Sequence, residues 1–475
     1  MIRNKEPIKL ALPKGRLLSH TAELLEQIGL VLEGYGEKTR TYRLRSTSHP
    51  NLSGKIFQEK DIPIQVAVGN YDLGICSLDW IEELQTRYPS TAIVKIGSFD
   101  FGAGGVYIAC GSDGLAGGAV ARAAADGPEW RIVSEYPNVA QRVALENRLP
   151  RFRVFPLWGA AEAYPPEDAD LAVLWARSGS DLRGRGLSPL LKIVPTAAFL
   201  IGNTQSLEAK DLSGVLDPLS TRLTASSPGS RRSKLPVGER SVPPRKARED
   251  TVRLALPDGH QQSHACRFLN KAQMAIDGYT HGRANRRPQS EFGWLDIKVI
   301  RPQDMPLQVA NGNFDLAITG RDWLMDHRYQ FPSTPVEQVL DLGFGWVRIV
   351  AAISRDVPAD SIAQVGALVK EGELRPLRVA SEYVNTADIY LWRNHIAPYR
   401  LIPTWGASEA FLPDDADLLI DNTETGKTLE RHNLKIIDVL FESTARLIGN
   451  RHSLAAPGKR PKLDVLIDRF REALE

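Results

Sequence analysis

Ser381-Glu382-Tyr383-Val384-Asn385 repeats Ser134-Glu135-Tyr136-Pro137-Asn138 with a single change, and the sequence around this stretch is repeated as well. Two further stretches return at the same distance: Trp158-Gly159-Ala160-Ala161-Glu162-Ala163 as Trp405-Gly406-Ala407-Ser408-Glu409-Ala410, and Leu200-Ile201-Gly202-Asn203 as Leu447-Ile448-Gly449-Asn450. The spacings 382−135, 405−158 and 447−200 all equal 247. Solenoid repeats are roughly 20–50 residues long, so this period indicates a tandem duplication of a whole folding unit.

The composition is that of an ordinary globular protein. Of the 475 residues 43% are hydrophobic, and 59 Lys+Arg against 57 Asp+Glu give a net charge of +2, so we expect neither a nucleic acid nor a membrane as partner. The three cysteines are scattered without zinc-ligand or CxxC spacing, which fits a reducing compartment. The first residues carry no apolar signal region and no apolar run is long enough to span a bilayer, so we expect a cytoplasmic protein.

The duplication predicts two domains and a linker. The first copy is expected at residues 1–222 and the second at residues 251–475. Residues 223–250 between them are rich in Ser, Pro and Arg, a composition that cannot bury a core, and are predicted to form a flexible, solvated linker.

Each copy is predicted to alternate strands and helices. The first copy opens with the apolar strand Ile8–Leu12, the turn Pro13-Lys14-Gly15 and a helix with apolar residues at helical spacing. In the second copy, strands are expected at Leu377–Ala380, Leu401–Pro403 and Ala416–Asp421, with helices between them. This alternation predicts the α/β class with mainly parallel sheets. Two such units per copy predict two lobes, with ligands at the carboxyl ends of the strands.

The segment with the clearest chemistry is Asp421-Asn422-Thr423-Glu424-Thr425-Gly426-Lys427-Thr428-Leu429. Hydroxyl groups and backbone N–H groups around a glycine suit a phosphate monoester. The carboxylates of Asp421 and Glu424 would repel a bare phosphate, but they could accept hydrogen bonds from sugar hydroxyls or attend a magnesium ion. The pattern indicates a reader of ribose 5-phosphate, while a Thr/Gly turn that only caps a helix remains an alternative.

Both copies resemble the catalytic core of ATP phosphoribosyltransferase, the first enzyme of histidine biosynthesis. The resemblance covers nearly all of each copy and rests on an ordered set of motifs: Leu10–Leu17, Asp61-Ile62-Pro63 and Asp72–Ile75 in the first copy, and Asp315–Trp323, Gly406–Ala410, Asp421–Leu429 and Glu442–Ile448 in the second.

The resemblance implies a two-lobed fold like that of type II periplasmic binding proteins. It also implies the reaction of ATP with phosphoribosyl pyrophosphate (PRPP), in which adenine N1 attacks ribose C1 and pyrophosphate leaves. Mg²⁺ is expected to accompany PRPP and ATP, with no permanent metal site. Members of the family pair with a second subunit, so two copies in one chain resemble that dimer made covalent. Further oligomerisation or a regulatory subunit is left open.

The two copies differ where the chemistry is expected. At a spacing of 247, the first copy has Leu174 for Asp421, Arg177 for Glu424 and Asp181 for Thr428. An arginine accepts no hydrogen bonds and an aspartate repels phosphate, so the first copy is predicted to have lost PRPP binding. At the first strand the loss is reversed, since Lys14-Gly15-Arg16 becomes Asp258-Gly259-His260.

These differences lead to a set of candidate residues. Lys14 and Arg16 of the first copy and Arg301 of the second are predicted to be catalytic cations, with a surface role for Lys14 and Arg16 as the alternative. The second-copy segment is predicted to bind PRPP through Asp421, Glu424, Thr425, Gly426, Lys427, Thr428 and Leu429. Glu382 and Arg321 are expected to contact ATP, although Glu382 equally suits helix capping. The sequence leaves open whether the site lies within the second copy or is shared between the copies.

Three functions compete at this stage. The leading hypothesis is an ATP phosphoribosyltransferase with one intact and one degenerate site. A non-catalytic regulatory or scaffold paralogue of that enzyme is favoured by Arg177 and Asp258 but opposed by the intact Asp421–Leu429 segment. A solute-binding protein is permitted by the fold alone, and the expected lack of a signal peptide opposes it.

Overall fold

The computed structural model describes residues 7–36, 42–112, 120–121, 129–149, 151–224, 237–238, 250–280 and 284–475. These residues form two compact units. The first unit contains those within Met1–Pro156, Tyr164–Pro243 and Trp405–Ala410, and the second those within Leu157–Ala163, Pro244–Thr404 and Phe411–Glu475. Each unit is thus one copy of the repeat plus a short segment from the other copy.

The first copy alternates strands and short helices. Its strands are β1 (Ile8–Lys14), β2 (Arg43–Arg45), β3 (Leu52–Gln58), β4 (Leu73–Ser77), β5 (Ile93–Ser98), β6 (Gly104–Gly111), β7 (Val120–Ala121), β8 (Trp130–Ser134), β9 (Phe152–Pro156), β10 (Leu171–Ala176), β11 (Leu187–Thr196), β12 (Ala198–Asn203) and, beyond residue 222, β13 (Val237–Gly238). Its helices are α1 (Leu18–Gln27), α2 (Ile62–Ala67), α3 (Leu78–Arg87), α4 (Pro137–Glu146), α5 (Gly179–Gly184), α6 (Thr204–Ala209) and α7 (Ser213–Ser220), with a 3₁₀ turn at Ala161–Ala163.

The second copy repeats this order. Its strands are β14 (Val252–Pro257), β15 (Ile276–Tyr279), β16 (Ala284–Ser290), β17 (Leu295–Ile300), β18 (Leu316–Gly320), β19 (Val336–Asp341), β20 (Val347–Ser354), β21 (Leu377–Ser381), β22 (Tyr399–Pro403), β23 (Leu418–Thr423), β24 (Leu434–Ser443) and β25 (Ala445–Asn450). Its helices are α8 (His260–Lys271), α9 (Met305–Ala310), α10 (Arg321–Gln330), α11 (Ile362–Glu371), α12 (Val384–Arg393), α13 (Lys427–Arg431), α14 (Arg451–Ala455) and α15 (Arg460–Glu472), with a 3₁₀ turn at Ser408–Phe411.

Each unit contains two main sheets of matching order. The first unit has β2-β3-β1-β4-β12-β5 and β11-β6-β10-β8-β9, and the second has β17-β14-β18-β25-β19 and β22-β21-β23-β20-β24. Three adjacent strands of each main sheet run parallel, for example β17-β14-β18 and β22-β21-β23, and antiparallel strands complete it. The expected α/β class with two sheets per copy is confirmed.

The chain passes between its two sheets twice in each copy. In the second copy the passages lie between β19 and β20 and between β24 and β25, so each sheet has a core of its own. The first sheet packs around Leu254, Leu316 and Phe470, and the second around Ile349, Val379 and Tyr383. Of the strands predicted in the second copy, Leu377–Ala380 and Ala416–Asp421 lie in the buried strands β21 and β23, whereas Leu401–Pro403 lies in the partly exposed edge strand β22.

Two sequence expectations need comment. The strand expected at Ala416–Asp421 ends later than predicted, because β23 continues to Thr423, and α13 already begins at Lys427. The predicted strand ends too early because the last residues of β23 are polar and do not continue the apolar pattern. Most of the predicted linker at residues 223–250 lies outside the described residues.

Candidate active site

A cluster of charged side chains lies at the carboxyl end of the first sheet in the second unit. β14 and β17 are parallel neighbours, so the residues that follow them, Asp258 and Arg301, meet at one edge of the sheet. Arg301 Nη1 donates to Asp258 Oδ1 at 3.3 Å, and Arg286 Nη1 on β16 donates to Asp258 Oδ2 at 2.8 Å. The edge therefore carries two arginines joined by one carboxylate.

Glu162 completes this cluster within the second unit. Arg286 Nε donates to Glu162 Oε1 at 3.0 Å. Burial lowers the pKa of Arg286, but the hydrogen bond to Asp258 and the charge of Glu162 outweigh burial and raise it overall. Arg286 is therefore a fixed cation, while Arg301 keeps 42% of its side chain exposed.

The predicted phosphate-binding residues lie at the carboxyl end of the second sheet. They begin at the end of β23 and extend into α13. Gly426 has φ +78°, a left-handed conformation, and its N–H donates to Thr423 Oγ1 at 3.0 Å. Because the chain turns sharply here, four polar side chains of the segment are exposed together: Glu424, Thr425, Lys427 and Thr428.

A hydrogen-bond chain connects this segment to the start of α10. Tyr383 is buried and its hydroxyl donates to Asp322 Oδ2 at 2.6 Å, at the start of α10. The same hydroxyl accepts from Asn422 Nδ2 at 2.9 Å, and Ser443 Oγ donates to the other Asp322 oxygen at 2.8 Å. Burial raises the pKa of Asp322. Asn422 of the predicted phosphate segment is thereby linked through Tyr383 to Asp322 in α10.

The two residues predicted to contact ATP lie near strand ends of the second unit. Arg321 follows β18, and its Nη1 donates to the carbonyl oxygen of Glu442 at 2.8 Å. Its guanidinium lies 5.4 Å from the centre of the Phe441 ring. Glu382 follows β21 directly, at the same sheet edge as the Glu424 turn. The structure brings Glu382 and the phosphate segment to one edge and leaves the ATP assignment a prediction.

In the equivalent segment of the first copy, nearby residues hydrogen-bond to the carboxylate of Asp181. The carboxylate of Asp181 accepts from the backbone N–H of Arg177 at 3.2 Å and from Arg185 Nη2 at 2.7 Å. Ser178 caps α5 by accepting from Asp181 N–H. Asp181 therefore supplies a negative charge of its own to donors in this turn, where an incoming phosphate would have to compete with it.

The first-strand cations Lys14 and Arg16 belong to the first unit and have partners there. Lys14 Nζ donates to the Tyr42 hydroxyl at 3.2 Å. Arg16 Nη2 donates to Glu59 at 2.9 Å, and its guanidinium lies 4.0 Å from the centre of the Trp175 ring. Trp175 stands where the second copy has Asn422. Arg16 thus joins the two sheets of the first unit through side chains of that unit, and its predicted catalytic role remains a prediction.

Sequence reasoning overlooked Arg286 and Glu162. A signal for Arg286 was present, because 258−14 and 286−42 both equal 244. The cation Lys14 beside Tyr42 in the first copy is replaced by Asp258 beside Arg286 in the second, so the positive charge moves from the end of the first strand to β16. Glu162 could not be found in this way, because nothing in the sequence places it in the second unit.

Within the described ranges, no group of three or more His, Cys, Asp or Glu side chains is arranged to hold a metal ion. In the same part of the chain, no helix has the length and apolar character needed to cross a membrane. The cysteines Cys76, Cys110 and Cys266 are buried free thiols.

Comparison with known proteins gives a consistent result for both copies. The family model for ATP phosphoribosyltransferase (HisG) matches residues 58–225 and again residues 301–472. The ATP phosphoribosyltransferase of Deinococcus radiodurans is 34% identical over 227 residues, which cover 47% of this chain and 92% of that protein. That of Prosthecochloris aestuarii is 32% identical over 225 residues, or 46% of this chain and 70% of that protein. Each match spans about one copy of the repeat, as a tandem duplication requires.

Among solved structures, a chain of the ATP phosphoribosyl transferase (HisG:HisZ) complex from Thermotoga maritima is similar to part of this protein. The match has 22% sequence identity and a TM-score of 0.38, and covers 47% of this chain and 98% of that chain.

Proposed function

Because the chain belongs to the ATP phosphoribosyltransferase family of histidine biosynthesis, we propose that its second unit carries the active site, and that the first copy is a degenerate partner. Adenine N1 of ATP would attack C1 of the PRPP ribose, the bond from C1 to the pyrophosphate oxygen would break, and pyrophosphate would leave. The observation that carries this assignment is the contrast between the two turns: the Glu424–Thr428 side chains are exposed, whereas the Arg177–Asp181 turn is closed by its own carboxylate.

The phosphate segment suits the ribose 5-phosphate end of PRPP. The hydroxyls of Thr425 and Thr428 and the ammonium of Lys427 are exposed together, and a phosphate monoester needs such convergent donors. Glu424 and Asp421 offer acceptors for the two ribose hydroxyls. The segment thereby distinguishes a sugar phosphate from inorganic phosphate, which those carboxylates repel.

The arginines at the opposite sheet suit the leaving group. Pyrophosphate gains negative charge as its bond to C1 breaks, and fixed cations at that position lower the barrier. Arg301 keeps 42% of its side chain exposed and is held at one nitrogen by Asp258, so its other nitrogens can meet a phosphate. Arg286 lies on the same carboxylate.

Mg²⁺ would arrive bound to PRPP and ATP rather than as a resident ion. Phosphate oxygens supply most of the ligands that Mg²⁺ requires, and one or two carboxylates complete the set. The half-buried Asp421 and the exposed Glu424 have the right donor chemistry for that role. The remaining assignments, namely ATP at Glu382 and Arg321 and a cytoplasmic setting, rest on the family.

Two measurements with matched variants test this function. The purified chain should form phosphoribosyl-ATP from ATP and PRPP, and calorimetric titration with Mg²⁺-PRPP should give one site per chain. Glu424→Arg should weaken PRPP binding roughly 10- to 100-fold, because it removes charged hydrogen bonds to the ribose. Arg177→Glu at the equivalent position of the first copy is the control. It should neither create a second PRPP-binding site nor change the affinity of the site in the second unit. Two equivalent sites, or a Glu424→Arg variant that binds normally, would refute the proposal.

A further inference from the structure

The second unit contains seven residues of the first copy, Leu157–Ala163, and they contact the charged edge of its first sheet. Glu162 Oε1 lies 3.0 Å from Arg286 Nε. The backbone N–H of Trp158 donates to both carboxylate oxygens of Asp304, at 3.1 and 3.2 Å. A side chain at Gly159 would place its Cβ 2.9 Å from Arg301 Nε. One short segment therefore meets both arginines of the candidate site.

We infer that Glu162 is a positioning residue of the second unit's active site, and that it holds Arg286 in place for the pyrophosphate end of PRPP. The inference rests on the proposed function and names a residue that lies outside the copy carrying the phosphate segment. Glu162 accepts a hydrogen bond from Arg286 Nε. Asp258 and the carbonyl oxygen of Val299 accept from Arg286 Nη1, at 2.8 and 3.3 Å. Held on two edges, the guanidinium keeps one orientation.

Burial makes this arrangement consequential. The side chain of Glu162 is 16% exposed and that of Asp258 is 10% exposed, so the charges are poorly screened by water. The Arg286 side chain is itself only 29% exposed, so removal of an acidic partner would leave a half-buried cation less well paired. Two acids and two arginines balance in charge, and Arg301 is the more exposed cation. Glu162 fixes Arg286 while Asp258 is shared with Arg301.

The repeat supplies a matched control. Glu409 is the counterpart of Glu162 in the second copy and belongs to the first unit. Glu409 makes no hydrogen bond or ion pair with any part of the chain that the structure describes. Substitution by Ala therefore removes a carboxylate that is bound to an arginine at position 162 and one that is not at position 409.

The test is a double-mutant cycle of Glu162→Ala and Arg286→Met, with Glu409→Ala as control. Glu162→Ala should lower kcat/KM for PRPP roughly 10- to 100-fold, because it releases a charged hydrogen bond. In the Arg286→Met background the same change should cost less than about threefold, since a residue that acts through Arg286 has nothing left to hold. Glu162→Gln keeps an acceptor oxygen and should recover most of the loss, and Glu409→Ala should stay within about twofold of the parent.

Calorimetric titration of the same variants with Mg²⁺-pyrophosphate separates this inference from the proposed function. If the parent chain binds pyrophosphate but forms no phosphoribosyl-ATP, the proposed function fails and the binding cycle alone decides the role of Glu162. An unchanged Glu162→Ala variant, or a full loss that persists in the Arg286→Met background, overturns the inference. A parent chain that neither reacts nor binds pyrophosphate overturns both.

Discussion

At the scale of single residues, Tyr383 and Tyr136 are a pair whose difference reports on the phosphate segment. Each buried hydroxyl donates to a buried aspartate at 2.6 Å, Asp322 in one case and Asp79 in the other. Within the described residues, only Tyr383 also accepts a hydrogen bond from a residue of the phosphate segment, Asn422. The two tyrosines therefore share a structural role, and one of them has an additional link.

We expect Tyr383→Phe and Tyr136→Phe to destabilise the protein by similar amounts, about 1–3 kcal/mol, because each leaves a buried carboxylate short of a donor. Only Tyr383→Phe should also weaken Mg²⁺-PRPP binding, by roughly threefold to tenfold, because Asn422 loses its anchor. Chemical denaturation gives the first quantity and calorimetry the second. Equal effects of both variants on PRPP binding would show that the Asn422 contact has no part in it.

At the scale of elements, the turn between β23 and α13 depends on a glycine in the left-handed conformation. Gly426 has φ +78°, where an L-residue is strained by roughly 1–2 kcal/mol. A Cβ at this position would meet only Ile436 Cδ1, at 3.9 Å, so the cost of a substitution is conformational and not steric. At the equivalent Gly179 of the first copy φ is not positive.

We expect Gly426→Ala to raise the KM for PRPP roughly fivefold to thirtyfold, because the free turn relaxes into another conformation that PRPP binding must reverse. Gly179→Ala, where the new Cβ would lie 3.3 Å from Pro189 Cγ, should leave that KM unchanged. Steady-state kinetics with varied PRPP is the measurement. A KM for Gly426→Ala within twofold of the parent would show that the left-handed turn is not needed for binding.

At the scale of the whole molecule, each unit is completed by a segment of the other copy. Trp158 lies 5.5 Å, centre to centre, from Trp323 in the second unit and packs against the core of its second sheet. Its repeat partner Trp405 lies 4.8 Å from Lys60 Nζ in the first unit. Duplication therefore produced two units that do not coincide with the two copies.

This exchange predicts that Trp158→Ala, a change in the first copy, loosens the second. We expect hydrogen exchange in α10 (Arg321–Gln330) to speed up roughly thirtyfold, equivalent to about 2 kcal/mol of lost packing, with little change in α3. Trp405→Ala is the reciprocal control and should affect α2 and α3 of the first copy. Hydrogen–deuterium exchange with mass spectrometry distinguishes the two patterns. If hydrogen exchange becomes faster only in the copy that carries the substitution, the prediction that each Trp stabilises the other copy is wrong.

The local sequence patterns predicted the repeat, the fold class and several strands. The repeat, the α/β class and the strands around Leu254 and Leu418 follow from apolar runs and turn residues, because burial in a parallel sheet imposes that pattern on the sequence itself. The phosphate-binding role of the Glu424–Thr428 turn stays a prediction, and it rests on the sequence because phosphate recognition concentrates several donors in one short segment.

The tertiary structure alone decided which copy each group serves. Glu162 is adjacent in sequence to the first unit but belongs to the second. A role for Arg286 is suggested only by its contacts with Asp258 and Glu162. The sequence also gave no sign that Arg16 would be bound by Glu59 and Trp175. Ion pairs join side chains across long separations in the chain, and their partners depend on how strands are ordered and where segments exchange. No periodicity along the sequence encodes that order.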